Sequence, residues 1–403
     1  MANYFKKITK VKKNIIIIGG GITGCVAAMS LDARKFNITI YEQKKQLGGI
    51  LNDFVNEGEL FFNGCQYFDP SQRWYKKLYK FFNENLKSFD HQYASLTEHK
   101  KIKIFNEDYA MPVFPKLKNK IKLNKLKANN LKNRINKYPK IISNFLFDYL
   151  KKFNLDYNVF GSQNAVNVHI SRVAIDGYEK ELLILKKNPN FDELFGVKRK
   201  FLFAKKKLKA ATPEKGYNNF FDQLKKILLK KKIKINLRSP VDPFWKNGKL
   251  FLEVKKSETI TADYIIWTGN PTKLVYKSIK KKLDSVPIKI VQYSINTTKS
   301  LKNRYVQIFS PQSNCLRFYS YKIRNKNKIS VECVFEKKND VLIKQEINAL
   351  LKDMQINYII DKEKIFKNSS IRFSLVTEND SRLFSKLKRQ SKKSNLICGP
   401  WEI

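Results

Sequence analysis

Four glycines and one carboxylate carry the sharpest chemistry in this sequence: Gly19, Gly20, Gly21, Gly24 and Glu42 are spaced to hold a dinucleotide. Gly19 permits a tight turn, Gly21 removes the side chain that would keep backbone N–H groups from a pyrophosphate, and Gly24 lets a helix pack close to a sheet. Ile22 and Thr23 open that helix, whose free N–H groups and partial positive charge favour phosphate. Glu42 lies 23 residues beyond Gly19, near the offset at which an acid accepts from a ribose hydroxyl, and Gln43 follows it. An acid there favours an unphosphorylated ribose.

These residues need strands to hold them. Ile15, Ile16, Ile17 and Ile18 form a β-branched run suited to a buried parallel strand that ends at the glycines. A second strand, Ile38–Tyr41, ends at Glu42. The basic residues at 6, 7, 10, 12 and 13, followed by an uncharged run to Leu31, also resemble a secretory signal or a membrane span. The glycines divide that run into a short strand and a short helix, and a signal gives no reason for a second strand closing on an acid.

At 403 residues the chain is long enough for two or three domains. Its five cysteines contain no Cys-x-x-Cys pair and its three histidines show no metal-ligand spacing, which predicts reduced thiols, a cytoplasmic location and no structural metal. After Leu31 no uncharged apolar stretch approaches the ~20 residues that cross a bilayer. The net charge of +45 comes from 80 basic and 35 acidic residues, with lysines spread along nearly the whole chain. That spread reads as lysine at every solvated position, predicting salt-sensitive adhesion to polyanions rather than a nucleic-acid function. Between Tyr109 and Phe147 there are ten basic and no acidic residues, and Leu117, Ile121, Ala128, Leu131 and Ile135 fall near helical spacing. Such a helix could lie on a membrane surface or pack on the core with a solvated face.

No fixed-period repeat or clean linker divides the chain, which predicts interwoven domains. Helical patterns cover Ser71–Leu86, Lys140–Phe153, Pro213–Lys231 and Val341–Met354. Loop and strand fill Gly48–Phe68, and short strands follow at Ile233–Leu237, Leu250–Val254 and Tyr264–Trp267. Antiparallel sheet is expected from Ile288–Asn296, Tyr305–Phe309, Leu316–Tyr321 and Ile329–Phe335.

Beyond Glu42 the sequence resembles the FAD-dependent amine-oxidase superfamily, which includes protoporphyrinogen oxidases and UDP-galactopyranose mutases. In that group a Gly-Gly pair follows the ribose-binding acid, and Gly48-Gly49 stand six and seven residues after Glu42. The family usually has Arg two residues before the pair, where this chain has Gln46 beside Lys44 and Lys45. The segment Gly58–Phe68 resembles one that turns beside the flavin, with Gly64 as the close-approach glycine and Gln66 near the isoalloxazine. Arg238-Ser239-Pro240-Val241 resembles the strand whose valine backbone contacts adenine, and Ala262–Gly269 resembles a later strand that places Thr268 and Gly269 beside the cofactor. Asn395–Gly399 resembles the last strand and glycine, so Gly399 is expected at the flavin. Relatives usually continue into a helix, whereas this sequence ends at Ile403, and the resulting expectation is a truncated or divergent chain with altered FAD affinity.

The resemblance implies an α/β fold in which a discontinuous Rossmann-like FAD-binding domain with parallel sheet (1–75, 206–284, 391–403) is interwoven with an α+β substrate domain carrying antiparallel sheet (76–205, 285–390). It implies an FAD-dependent oxidoreductase acting on a small substrate. The alternatives are a UDP-galactopyranose mutase-like enzyme using reduced flavin on a nucleotide sugar, and a basic surface-binding protein with a degenerate flavin fold. By the mutase resemblance Arg317 meets a substrate diphosphate, with Tyr319 nearby; by its strand pattern alone the same pair reads as solvent-facing alternation.

Overall fold

The computed structural model describes residues 12–399 except 65, 71–72, 83–85, 91, 101, 117–120, 125–127, 177–178, 200–208 and 335–338. They form two compact units: one from residues up to 51, 218–283 and 382 onward, the other from 52–217 and 284–381. Each unit is discontinuous in sequence, and segments 52–75 and 206–217, expected in the first, go with the second. The reason is packing. The hairpin Asp53–Asn56 and Glu59–Phe62 turns Phe61 onto Phe366 and stacks Phe62 on Tyr321 at 4.7 Å.

The first unit is built on a five-stranded parallel sheet. Strand β1 (Lys13–Ile18) lies at its centre, followed by helix α1 (Ile22–Ser30) and strand β2 (Phe36–Tyr41). Strand Lys234–Asn236 flanks β2, while Tyr264–Trp267 and then Leu396–Cys398 flank β1 on the other side. All four isoleucines of β1 are buried, as a central parallel strand requires. Helix Tyr217–Lys230 contributes Phe220, Phe221, Leu224 and Leu228 to this unit's core. A three-stranded antiparallel meander (Val241–Lys246, Lys249–Val254, Glu258–Ile260) turns at Asn247-Gly248, both with positive φ, as a two-residue hairpin demands.

The second unit holds a seven-stranded sheet, antiparallel except where Arg304–Phe309 runs parallel to Gln92–His99. Alternation along its strands gives it two different faces. One face is apolar: Val291, Tyr293, Ile295, Val306 and Ile308 pack in one cluster with Ile343, Ile347 and Leu351 of helix Asp340–Asp353. The other carries Gln292, Ser294, Gln307, Tyr319, Tyr321, Ser330 and Glu332, all buried.

The lysine-rich stretch 109–147 is not one amphipathic helix. Ile121 is outside any helix, Asn130 caps a short new helix (Leu131–Ile135) by accepting from the Asn133 N–H, and Pro139 starts the next (Lys140–Leu150). Ile121, Leu131 and Ile135 are buried in the unit's core, and Leu117 lies outside the described residues. Three lysines also depart from the solvated pattern: Lys152, Lys186 and Lys328 are buried, the last with its ammonium 2.7 Å from Glu59.

Candidate functional site

Where the strands of the parallel sheet end, a cleft of about 640 Å³ opens, lined by the loop after β1, the end of β2, and the turns after Tyr264–Trp267 and before Val241. The chain is drawn together here by backbone bonds. Gly19 N–H donates to the Tyr41 carbonyl at 2.9 Å, Thr268 N–H to Ile18 at 2.8 Å, and Gly48 N–H to Gly20 at 2.9 Å. The last bond shows what the Gly48-Gly49 pair does. It lays a second turn against the first, at φ values of +130° and +65° that favour glycine, and a Cβ on Gly49 would stand 3.2 Å from the Gly21 Cα.

Gly21 is the residue on which the cleft depends. A Cβ there would meet only the Gly49 Cα, at 3.8 Å, so the space above it is open. Gly21 is also the N-cap of α1, with no side chain capping the helix and no acid in its first turn. No side chain caps the first N–H groups of α1, the arrangement that suits a helix start to an anion. A Cβ on Gly24 would collide with the Gly19 carbonyl, which is the close helix-to-strand approach expected of it. Residues and pyrophosphate fit: an uncapped nine-residue helix, an open glycine and a turn held flat by a second glycine pair form a phosphate cradle.

Glu42 is buried at 6% exposure, yet its carboxylate is held by backbone alone, accepting from Gly20 N–H at 2.6 Å and Lys44 N–H at 2.8 Å. Each oxygen keeps a further lone pair for a hydroxyl donor. The Cys25 thiol, next to the loop, is pushed up to about 12 by burial and then by Glu42, so it stays protonated and inert.

Of the expected cofactor residues, Gly19, Gly21, Ile22, Thr23, Glu42, Gln43, Gly48, Gly49, Val241, Thr268 and Gly269 line the cleft together. Gly20, Gly24 and Gly399 stand behind it: Gly399 donates its N–H to the Trp267 carbonyl at 2.9 Å, where a Cβ would collide. Gln46, at the family's arginine position, bonds Asn218 at 3.1 Å instead. Lys44 and Trp267, neighbours of expected positions, also line the cleft, as does Lys273, which nothing in its local spacing marks.

Gly64, Gln66, Arg317 and Tyr319 lie in the second unit. Gly64 has φ +101°, and a Cβ on it would collide with the Arg372 guanidinium and meet the Glu332 carboxylate at 2.8 Å. Its lack of a side chain therefore makes room for an ion pair. The reading of Arg317 and Tyr319 as solvent-facing is overturned: Tyr319 is fully buried, stacked on Tyr321 at 4.9 Å, and the Arg317 side chain is 14% exposed. Arg317 pairs with Glu332 at 2.9 Å, and Glu332 also faces Arg372 at 3.5 Å. The other Arg317 nitrogen stands 2.6 Å from Nε2 of His169, a residue at φ +60°. A guanidinium only donates, so Nε2 accepts and the ring proton sits on Nδ1. Burial and the adjacent Arg317 charge hold the His169 pKa well below its ordinary value, consistent with that neutral tautomer. Gln66 uses its backbone carbonyl to accept from the Tyr217 hydroxyl at 3.0 Å. His169, Glu332 and Arg372 were not foreseen; a glutamate inside the apolar run Ile329–Phe335 was the available signal.

Residues 17–84, which begin in the first unit and continue into the second, match the NAD(P)-binding Rossmann-like domain. No curated protein shows significant sequence similarity to the chain. Among solved structures it is similar to a reduced UDP-galactopyranose mutase, with 13% identity, TM-score 0.66, and coverage of 96% of this chain and 88% of that one. It is also similar to a protein assigned as protoporphyrinogen oxidase from Exiguobacterium sp. 255-15 (11% identity, TM-score 0.59, 96% and 94% covered). A putrescine oxidase redesigned in cofactor binding gives 11% identity and TM-score 0.58, with 96% and 93% covered. At such identities the likeness is one of fold: a parallel Rossmann-like sheet with a mostly antiparallel second sheet. Among the described residues no helix is long and apolar enough to cross a membrane, and no group of His, Cys, Asp or Glu is placed to hold a metal.

Proposed function

We propose that this chain binds FAD in the glycine-lined cleft and acts as a flavin-dependent oxidoreductase on a small substrate. The observation that carries the reading is the open Gly21 at the uncapped start of α1, with Gly48-Gly49 laid against it and Glu42 at the end of the neighbouring strand. FAD bound here would supply the hydride chemistry. The chain's own part is to seat the pyrophosphate on α1, to hold the adenosine ribose at Glu42, and to place the adenine beside Val241. Substrate recognition falls to the second unit, where the half-buried Arg317, Arg372 and His169 and the buried Glu332 form a fixed array of donors and acceptors.

The mutase-like reading asks Arg317 to bind a diphosphate. Its guanidinium already serves Glu332 and His169, so a diphosphate would have to compete with both, and this favours the oxidoreductase. The test is calorimetric titration of UDP into the flavin-loaded protein with flavin oxidised and then reduced. The expected result is no heat of binding in either state. Clear binding that is lost in Arg317→Ala would establish the mutase-like reading in its place. A purified protein lacking flavin absorbance near ~450 nm, and rejecting added FAD, would support the third reading, a basic protein with a degenerate flavin fold.

A further inference from the structure

The parallel sheet of the first unit carries a second opening, about 580 Å³ in volume and remote in register from the dinucleotide cleft. The cleft follows the C-terminal ends of the strands, whereas this groove begins at their N-terminal ends. Strand register puts Lys13, Ile15, Phe36, Tyr264, Ile266 and Ile397 on one face of the sheet. Both faces of a parallel sheet are normally covered. Here Ile397 is 46% exposed, and Tyr264 and Ile266 are only half-buried.

The lining is polarised along the strands. Lys13 is the first residue of β1, and Arg34 and Lys35 immediately precede β2, so all three cations of the lining gather at one end. The apolar lining, Ile15, Leu31, Ile266 and Ile397, extends away from them. Two carboxylates lie at that end. Asp32 is paired with Arg34 at 3.0 Å, and Asp263, which accepts from the Asn14 N–H at 2.7 Å, keeps its charge, so the three lining cations exceed the two carboxylates and that end of the groove remains net positive. The Lys13 ammonium rests 5.5 Å from the Tyr264 ring centre, at the mouth of the groove.

We propose that this groove binds a single-chain anionic amphiphile, a long-chain carboxylate whose head meets Lys13 and Lys35 and whose chain lies over Ile15, Ile266 and Ile397. Cations at one end and aliphatic side chains beyond them match one charged head and one apolar tail. A docked helix would present side chains along both rims instead. The volume falls within the usual range for small-ligand sites.

The experiment is isothermal titration of submicellar laurate into the full chain, with Ile397→Asp, the double change Lys13→Glu and Lys35→Glu, and 1-dodecanol as a neutral probe. The expected outcome is saturable binding that weakens by at least about tenfold in each variant and with the alcohol, since both apolar contact and charge are lost. Ile397 is an exposed side chain, so its change should leave the thermal melt intact; were the melt altered, Ile397→Ser serves as the replacement. The proposal is overturned if the parent gives no heat. It is equally overturned if Ile397→Asp binds laurate as tightly as the parent, which would mean adhesion to the basic surface alone, or if binding occurs only to phosphatidylglycerol vesicles and not to monomeric laurate.

Discussion

The two units handle buried polarity in opposite ways. In the first, the cleft is formed by main chain: glycines open it, strand ends converge on it, and the one buried acid, Glu42, is held by two backbone N–H groups. In the second, the buried polar face is formed by side chains far apart in sequence, among them His169, Gln292, Arg317, Glu332 and Arg372. A backbone site needs particular residues at fixed local spacing, while a side-chain site needs only that the fold bring its members together. Each unit is therefore vulnerable at a different kind of residue.

The largest effect should come from breaking the side-chain site. Glu332 is 1% exposed and stands between two guanidiniums, so Glu332→Ala leaves buried positive charge uncompensated. Stability is expected to fall by about 3–5 kcal/mol, read from the urea midpoint, the range for removing one partner of a buried ion pair. A loss below about 1 kcal/mol would mean the cluster is solvated and the contrast between the units is false.

The corresponding change in the cleft should act on ligand more than on fold. If Glu42 accepts from the adenosine ribose as proposed, Glu42→Ala is expected to lower FAD affinity by about 1–3 kcal/mol, as for a lost hydrogen bond to a charged group. Unchanged affinity by fluorescence titration would reduce Glu42 to an organiser of its own loop, through Gly20 and Lys44.

The smallest effect sharpens the electrostatics of the side-chain site. His169 is neutral in the folded protein with its pKa depressed, so below the ordinary histidine value the unfolded chain binds a proton that the native state refuses. Its contribution is present above about pH 6.5 and is lost as the pH falls, by up to about 1.4 kcal/mol per pH unit. The parent should therefore lose more stability than His169→Gln between about pH 7 and pH 5.5. Parallel pH profiles for the two proteins would show that His169 accepts a proton where it stands.

The same distinction decides what was legible in the sequence. The strand–glycine–helix–strand unit ending at Glu42, the Gly48-Gly49 pair and the antiparallel block could be read because each is a local pattern. The hairpin at Asp53–Phe62 was assigned to the wrong unit because its partners, Tyr321 and Phe366, are some 260 to 300 residues away. Strands Gln92–His99 and Ile102–Asn106 went unseen because the buried positions of the first include Ala94 and Ser95, which carry little strand signal. Strand Ile365–Leu375 lies at the sheet edge and is rich in polar residues. Arg317 and Tyr319 illustrate the limit best. Alternation correctly put them on one face, and only tertiary structure shows that this face is interior.

The central claim is that the glycine cleft is a flavin site, and the most direct test is FAD affinity of the parent and of Gly21→Val, measured by fluorescence quenching on freshly apo-converted protein. A valine would fill the space left open at Gly21, and with it the approach to the first N–H groups of α1. The account predicts tight FAD binding by the parent and none detectable by Gly21→Val, with both proteins showing the same thermal melt. Equal FAD affinity in the two, or a parent that binds no FAD, would contradict it.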